Sequence, residues 1–370
     1  MYSTLTMENT IMAGVSFDPG NPLIIAELGT AHSGDISRAK DMAAAAAEAG
    51  ATCVKLQMVF ADEILHPNTG EVTLPGGRIR LYDRFKQLEM PPEFYAEVKE
   101  YVESRGLLFL CTPFGLKSAQ ILRALQPKIV KIASPELNYT ALLQEVAAWG
   151  LPVLLSSGVS TLRDIEEAMG ILGNCHLLHC VTAYPAPETD YNLRVLGNLA
   201  AVFGVAVGVS DHSLDPELVP ALAVSQGATV IEKHFCLSRD DPGLDDPIAL
   251  TPSQFARMAA AIRLAAALGP DETIAKLSRD RGADLVEAIL GSGVKTLAPS
   301  ERENYTRTNR SIHALRDIAP GETITEKDFA ILRTEKILRP GLAPSWAVDL
   351  CGRTARQFIP AGEGIRFEDV

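Results

Sequence analysis

The chain has 370 residues, of which 47% are hydrophobic and 22% charged, and it carries a net charge of -12. That length accommodates one large domain with a well-buried core and a second small one. The acidic balance excludes a broad basic surface for nucleic acid, although a small anionic substrate is compatible if lysines and arginines gather locally. No apolar stretch reaches the roughly 18 residues that span a bilayer. The opening segment MYSTLTMENTIMAGVSFDPG has no basic region followed by an apolar one. The expectation is therefore a cytoplasmic protein with no membrane partner. The six cysteines, Cys53, Cys111, Cys175, Cys180, Cys236 and Cys351, form no C-x-x-C pair and read as reduced thiols, five of them in or beside apolar runs.

Eight short apolar runs follow one another along the chain: LIIAELG (23–29), CVKLQMV (53–59), LLFLCTP (107–113), IVKIAS (129–134), PVLLSSG (152–158), CHLLHCV (175–181), AVGVSDH (206–212) and TVIEKHF (229–235). Their near-continuous hydrophobicity is that of parallel strands covered on both faces. Between them lie helical stretches such as SRAKDMAAAAAEAG, PPEFYAEVKEYVESRG and TLRDIEEAMGILG, closing on glycine, the usual C-terminal stop. PSQFARMAAAIRLAAALG then completes the last unit. Eight βα units over about 250 residues predict a (β/α)8 TIM barrel. An open doubly wound sheet is the alternative, but no G-x-G-x-x-G follows the first strand. Residues 60–91, which include LPGG, interrupt the alternation and predict a lid over the C-terminal face.

The barrel domain is expected over 1–285, a linker over 286–305, and a small β-rich module over 306–370 with two similar turns, IAPGE and IPAGE. About 65 residues are marginal alone, so the module is expected to pack on the barrel or on a partner subunit.

Reactive groups of such barrels collect where the strands end. The first strand ends in Glu27; the second carries Lys55 and Gln57; the third ends in Thr112. The fourth carries Lys131 and reaches Ser134, with Glu136 two residues further on; the fifth ends in Ser156 and Ser157; Thr182 and Tyr184 follow the sixth. The seventh ends in Ser210, Asp211 and His212, and the eighth holds Glu232, Lys233 and His234. Lys55 and Gln57 share one face, as do Glu232 and His234. A single Lys–Glu pair is explained by mutual neutralisation in the core. Two lysines, two glutamates and two histidines converging at one end are not, because buried charge is costly unless it binds something. Neighbouring strands lie about 4.8 Å apart, so His212 and His234 can share one divalent cation, with Glu232 and Asp211 nearby. Mixed nitrogen and oxygen ligation suits Mn, Fe, Co or Zn, and Mg less well. Lys55, Lys131, Thr112, Ser134, Ser156, Ser157 and Ser210 form the cationic, hydroxyl-rich set that a phosphate and a carboxylate require. A Schiff-base aldolase would use Lys55 or Lys131 differently and would not need the histidine pair.

In the stretches IIAELGTAHSGD, AGATCVKLQMV, FLCTPF, VKIASPELN, LLHCVTAYPAP, VGVSDHS, IEKHF and DDPGLDD, the chain resembles the sialic acid synthases. The trailing module looks like their antifreeze-like (SAF) domain. The resemblance implies an enzyme that condenses phosphoenolpyruvate (PEP) with a hexose-derived aldose, N-acetylmannosamine-like, into a nine-carbon 2-keto acid with release of phosphate. It implies a divalent ion, normally manganese, with magnesium or cobalt as alternatives, held by His212 and His234. It implies a PEP pocket of Lys55, Lys131, Thr112, Ser134, Ser156, Ser157 and Ser210. Glu27, Gln57, Tyr184, Glu232 and Asp245 take catalytic or acceptor-binding roles, with Glu27, Lys55, Lys131 and Glu232 as the catalytic set. Arg310, in TNRSIHA, matches the SAF arginine that reaches the acceptor in a partner's barrel, which implies a domain-swapped homodimer. Ala31 and Ala183 stand where the family often has Asn, SGV at 157–159 replaces TGM, and the long loop lacks a clear match for the acceptor-binding Asn. The lost Asn and the SPE at 134–136 place the chain near the spore-coat polysaccharide branch and leave the aldose open. The remaining alternatives are a related PEP-condensing synthase acting on another aldose or a sugar phosphate, and a non-catalytic sugar-binding homologue.

Overall fold

A computed structural model describes residues 10–12, 15–74, 77–173, 175–241 and 243–370. Most of the opening segment, Pro75 and Gly76 of LPGG, and Pro242 of DDPGLDD lie outside the described residues.

The eight apolar runs are the eight strands of one parallel sheet: β1 (Leu23–Gly29), β2 (Cys53–Met58), β3 (Leu108–Pro113), β4 (Val130–Ile132), β5 (Val153–Ser156), β6 (Cys175–Cys180), β7 (Val207–Asp211) and β8 (Val230–His234). The hydrogen-bonded order is β3-β2-β1-β8-β7-β6-β5-β4, and β3 packs against β4 to complete the circuit. The pairing of β1 with β8 makes this a TIM barrel and removes the open-sheet alternative. Helices follow the strands: α1 (Ile36–Glu48), α2 (Pro92–Ser104), α3 (Leu116–Ala124), α4 (Thr140–Ala147), α5 (Leu162–Leu172), α6 (Val195–Phe203), α7 (Leu218–Ser225) and α8 (Pro252–Leu268). Asp35 caps α1 by accepting from Ser37 and Arg38 N–H, and Thr161 caps α5 by accepting from Asp164 N–H.

Inside the barrel, Ile25, Cys53, Leu110, Leu154, Leu178 and Val230 form one apolar layer. An N-terminal hairpin (Thr10–Met12 with Val15–Phe17) contributes Val15 and Phe17 to it, so the lower end is plugged. At Gly208 a Cβ would lie 2.4 Å from the Val230 carbonyl oxygen and 2.8 Å from Leu178 Cδ2, so only glycine fits the close approach of β7 to its neighbours. With the lower half filled by apolar side chains, polar ones are left to the upper end.

The 60–91 insertion folds as a short helix (Ala61–Ile64), a hairpin (Glu71–Leu74 with Gly77–Arg80) and a second helix (Leu81–Gln87). Val59, Ile64, Leu65, Leu81, Leu88 and Phe114 make its own small core over the end of β3. Beyond the barrel come α9 (Pro270–Arg281) and α10 (Ala283–Leu290), and then an extended segment that runs back along the barrel mouth. The C-terminal module is built on the antiparallel pair β9 (Arg310–Ala314) and β10 (Phe329–Arg333) around Ile312, Ile318, Ile324, Leu350, Ile359 and Ile365. It sits on the barrel of its own chain: Asn138 Nδ2 donates to Arg310 O at 2.8 Å and Arg310 N–H donates to Asn138 Oδ1 at 3.0 Å. It is also tied to the insertion, where Asn68 Nδ2 donates to Ala361 O at 3.0 Å and Ile337 N–H donates to Thr69 O at 3.2 Å.

Five of the six cysteines are buried and Cys351 is exposed; all six are free thiols. Among the described residues no helix is long and apolar enough to cross a membrane.

His313 lies fully buried in the module, with Nδ1 against Gly362 O at 2.7 Å and Nε2 against Ser311 and Thr334 hydroxyls at 2.9 and 3.1 Å. Burial holds it neutral and lowers its pKa to about 4. The unfolded chain, with an ordinary histidine near 6.5, binds the proton first as pH falls. Stability from this group is therefore complete above pH 6.5 and is lost on acidification toward pH 4, on the order of 3 kcal/mol. Calorimetric melts between pH 7.5 and 4.5 should show a slope to which the buried His32, His176 and His179 also contribute, and His313→Gln should reduce it by this group's share.

Candidate active site

Strand register assembles the polar cluster at the upper end. Glu27 pairs across to Lys55 on β2 and to His234 on β8, Gln57 to Thr112 on β3, and Ser210 to Glu232. Lys55 Nζ lies 2.8 Å from Glu232 Oε1 and 3.3 Å from Glu27 Oε2, bridging three consecutive strands. Gln57 Nε2 donates to Glu27 Oε1 at 2.8 Å and Ser210 Oγ to Glu232 Oε1 at 2.8 Å. Lys131 Nζ donates to Ser156 Oγ at 2.6 Å and stands 3.9 Å from Glu232 Oε1. Thr112 Oγ1 and Glu232 Oε2 are buried and have no hydrogen-bond partner among the described residues. Ser134 Oγ accepts from Gly158 N–H at 3.0 Å, while Ser157 Oγ donates to Leu178 O at 3.2 Å.

The electrostatics separate the two carboxylates. Burial, aided by the charge of Glu232 and opposed by Lys55, lifts Glu27 to about 7. Burial works against ionising Glu232 as well, but Lys131 and Lys55 outweigh it and hold this carboxyl at about 2. The lysines diverge too. Burial brings Lys131 down to about 8, only partly opposed by Glu232, whereas the two carboxylates overcome burial at Lys55 and hold it above its ordinary value. Pairs of like groups pushed apart by their surroundings are a mark of acid–base sites.

His212 and His234 come together, with ring centroids 5.5 Å apart. His212 Nδ1 lies 2.9 Å from Val181 O, which fixes the ring through that nitrogen, and Tyr184 stacks on it at 4.3 Å. His234 Nδ1 is 3.8 Å from Asp245 Oδ2, and burial, reinforced by His212 and Lys55, keeps this imidazole neutral. His212 is drawn upward, against burial, by Cys180 beside it. Two imidazoles suit a divalent ion that keeps open positions. Among the described residues no group of three or more His, Cys, Asp or Glu side chains is placed to hold an ion, so beyond this pair the shell is left to water or substrate. Asp211 does not join the pair. Alternation along β7 turns it away from the barrel interior, and it binds Lys233 at 2.5 Å.

Above the cluster opens a cavity of about 280 Å³. Gln57, Tyr184, His234 and Asp245 form its floor and side, Phe85 and Leu88 come from the insertion, and Arg333, Glu335 and Lys336 come from the C-terminal module. Tyr184 is more than half exposed there. Arg310, expected to reach the acceptor in a partner's barrel, does not line the cavity of its own chain. Its side chain is sealed against Glu136 Oε1 (2.9 Å) and the carbonyls of Phe114 and Glu63. Arg333 shares the same Glu136 oxygen at 2.7 Å and is the arginine that faces the cavity. Arg333 carried no signal in the sequence, since an arginine at a strand end ordinarily reads as a solubilising surface charge. Glu136 was visible only as the residue two beyond Ser134, in the SPE at 134–136.

With this geometry in place, the comparisons are specific. Residues 42–272 match the NeuB family and residues 309–370 the SAF domain, and the chain belongs to the NeuB family. It is 35% identical over 356 residues to the spore coat polysaccharide biosynthesis protein SpsE of Bacillus subtilis, covering 94% of this chain and 93% of that one. The crystal structure of SpsE matches with a TM-score of 0.80 and 33% identity over 98% of this chain and 99% of that chain. It is also 32% identical over 360 residues, 94% of each chain, to the N,N'-diacetyllegionaminic acid synthase of Legionella pneumophila. The crystal structure of an N-acetylneuraminic acid synthetase from Leptospira borgpetersenii matches with a TM-score of 0.65 and 29% identity, over 80% of this chain and 95% of that one. The protein is thus an enzyme, a C–C bond-forming transferase of a family whose named members make sialic, legionaminic and pseudaminic acids.

The Asp211–Lys233 pair lies outside the reactive cluster and is almost wholly buried, with Lys233 also donating to Ser213 Oγ at 3.1 Å and Asp215 O at 3.2 Å. Lys233→Met should therefore destabilise the fold by about 3–5 kcal/mol, the usual cost of stranding a buried charge. Urea denaturation measures it.

Proposed function

We propose that the enzyme condenses PEP with a hexose-derived aldose to a nine-carbon 2-keto acid and inorganic phosphate. The observation that carries this reading is the pair of buried ammonium groups, Lys55 and Lys131, both facing Glu232 beneath a cavity of aldose size, with the buried Thr112 hydroxyl of the adjoining strand lacking a hydrogen-bond partner among the described residues. Lys131, Lys55 and the hydroxyls of Thr112, Ser134, Ser156 and Ser210 hold the phosphate and carboxylate of PEP. Ser157, whose hydroxyl serves the Leu178 carbonyl, contributes through its loop. The aldose lies above, between Gln57, Tyr184, Asp245 and Arg333.

C3 of PEP attacks the aldehyde carbon, making the new C–C bond. Water adds at C2, and the C2–oxygen bond of the resulting hemiketal phosphate breaks to release phosphate and leave the 2-keto acid. His212 and His234 would hold a divalent ion, manganese in most of the proposed family chemistry, which when bound polarises the aldehyde. Glu27, near 7, is suited to carry a proton to or from the reacting oxygens, while Glu232 stays ionised and keeps Lys55 and Lys131 in place. A homodimer with exchanged C-terminal modules would make the Arg310–Glu136 contact between subunits.

Lys131, depressed to about 8, is also what a Schiff-base aldolase would require. Borohydride trapping separates the two: a covalent adduct on Lys131 supports the aldolase, and its absence during turnover supports the PEP reaction.

The direct test incubates purified enzyme with PEP, Mn²⁺ and a panel of N-acylated hexoses, following phosphate and the mass of the keto acid. Chelation should abolish turnover and Mn²⁺ restore it; full activity in the stripped enzyme would remove the metal from the mechanism. Lys131→Met should lose roughly 2–5 kcal/mol of PEP binding, about thirtyfold or more in KM, as for a buried charged contact. If modules are exchanged, mixing Arg310→Ala with Lys131→Met subunits should regenerate activity. Demonstrated subunit exchange with no recovery would place the whole site in one chain.

A further inference from the structure

Val159, in the loop between β5 and α5, is fully buried and has φ +41°. A β-branched residue rarely adopts that backbone conformation, and it persists only where its surroundings impose it. Both of its main-chain groups are held by side chains from the segment that joins barrel and module. Its N–H donates to Glu301 Oε2 at 2.9 Å and its carbonyl accepts from Asn309 Nδ2 at 3.0 Å. The same Glu301 oxygen accepts from Thr182 N–H, in the loop after β6, at 2.9 Å, and the other accepts from Ala298 N–H at 3.1 Å. Asn304 Nδ2 donates to Thr182 O at 3.0 Å, and Lys295 Nζ to Ser157 O at 3.0 Å. The joining segment therefore grips the main chain of two loops at the barrel mouth.

The first of these loops follows Ser156, and its Gly158 N–H donates to Ser134 Oγ at 3.0 Å, so it adjoins two hydroxyls of the anion pocket proposed above. At Gly158 a Cβ would fall 2.1 Å from Thr182 Oγ1 and 3.0 Å from Ser134 Oγ, so the three residues meet in contact. A shift of either loop changes where these hydroxyls stand.

We propose that Glu301 is a positioning residue for PEP: its buried carboxylate, with Asn309, holds Val159 left-handed and locks the β5 and β6 loops together, so the anion pocket is complete only with the joining segment docked. Such a residue does not touch the aldose. This rests on the PEP reading for what the loops bind, but not for the clasp itself.

Glu301→Gln replaces an acceptor by a donor among three N–H groups. A lost hydrogen bond to a charged group converts to about tenfold or more. PEP affinity, measured by calorimetry and as KM, should weaken by at least about tenfold, with the aldose KM within roughly twofold. Glycine adopts φ +41° without strain, so the same substitution made in Val159→Gly protein should cost clearly less. An equal loss in both backgrounds, or PEP and aldose KM rising together, overturns the proposal. Hydrogen exchange at the Val159 and Thr182 amides, measured without substrate, should accelerate at least about tenfold in Glu301→Gln; unchanged exchange also overturns it. If Glu301→Gln does not fold, Asn309→Ala read in the same three assays decides. Wild-type protein that fails to bind PEP removes the PEP reading, while the exchange result still decides the clasp.

Discussion

The site is organised around one buried ion cluster, the Lys55 ammonium held between Glu232 and Glu27 across β8, β1 and β2. These three strands include the β1–β8 pair that closes the barrel. Isolated, any one of the three charges would be costly at this depth. Together they neutralise one another, and the residual imbalance sets the pKa values of their neighbours. Glu232 is ionised because two lysines face it. Glu27 is raised toward neutrality by burial, which Lys55 compensates only in part. Lys131, with a hydroxyl as its close partner and a carboxylate only at 3.9 Å, is the cation left with spare interaction capacity. Stability and reactivity thus follow from the same register.

Much of this was legible in the sequence because a parallel barrel is read twice: apolar runs mark the strands, and polar residues ending them mark the site. LIIAELG is β1 residue for residue, and the other seven runs differ from their strands only at the ends. Alternation predicted the shared faces of Lys55 with Gln57 and of Glu232 with His234. It also separates Asp211 from His212, since neighbours along a strand face opposite sides of the sheet. The aspartate belongs to Lys233 on the barrel's outer side.

What was not legible lies in long-range contacts with no periodicity. Residues 286–305 read as a polar linker, since Lys295, Glu301 and Asn304 are the composition of a solvated segment, and Asn309 read as part of the module. Their contacts are made with two loops more than a hundred residues away, and no local pattern encodes that. Arg310 illustrates the converse. The resemblance selected it for a partner's barrel; within its own chain the fold encloses it with Glu136, and Arg333 borders the cavity.

The ties between the 60–91 insertion and the C-terminal module have a mechanical consequence. Asn68 and Thr69 bind the module through Ala361 and Ile337, and both segments border the same cavity. The mouth therefore has a jointed rim rather than an independent flap. Widening it displaces insertion and module as one body, or else breaks the hydrogen bonds between them. Traffic through the mouth is then governed by how firmly the module is seated, and a substitution on the module's far side can alter turnover without approaching a reacting atom.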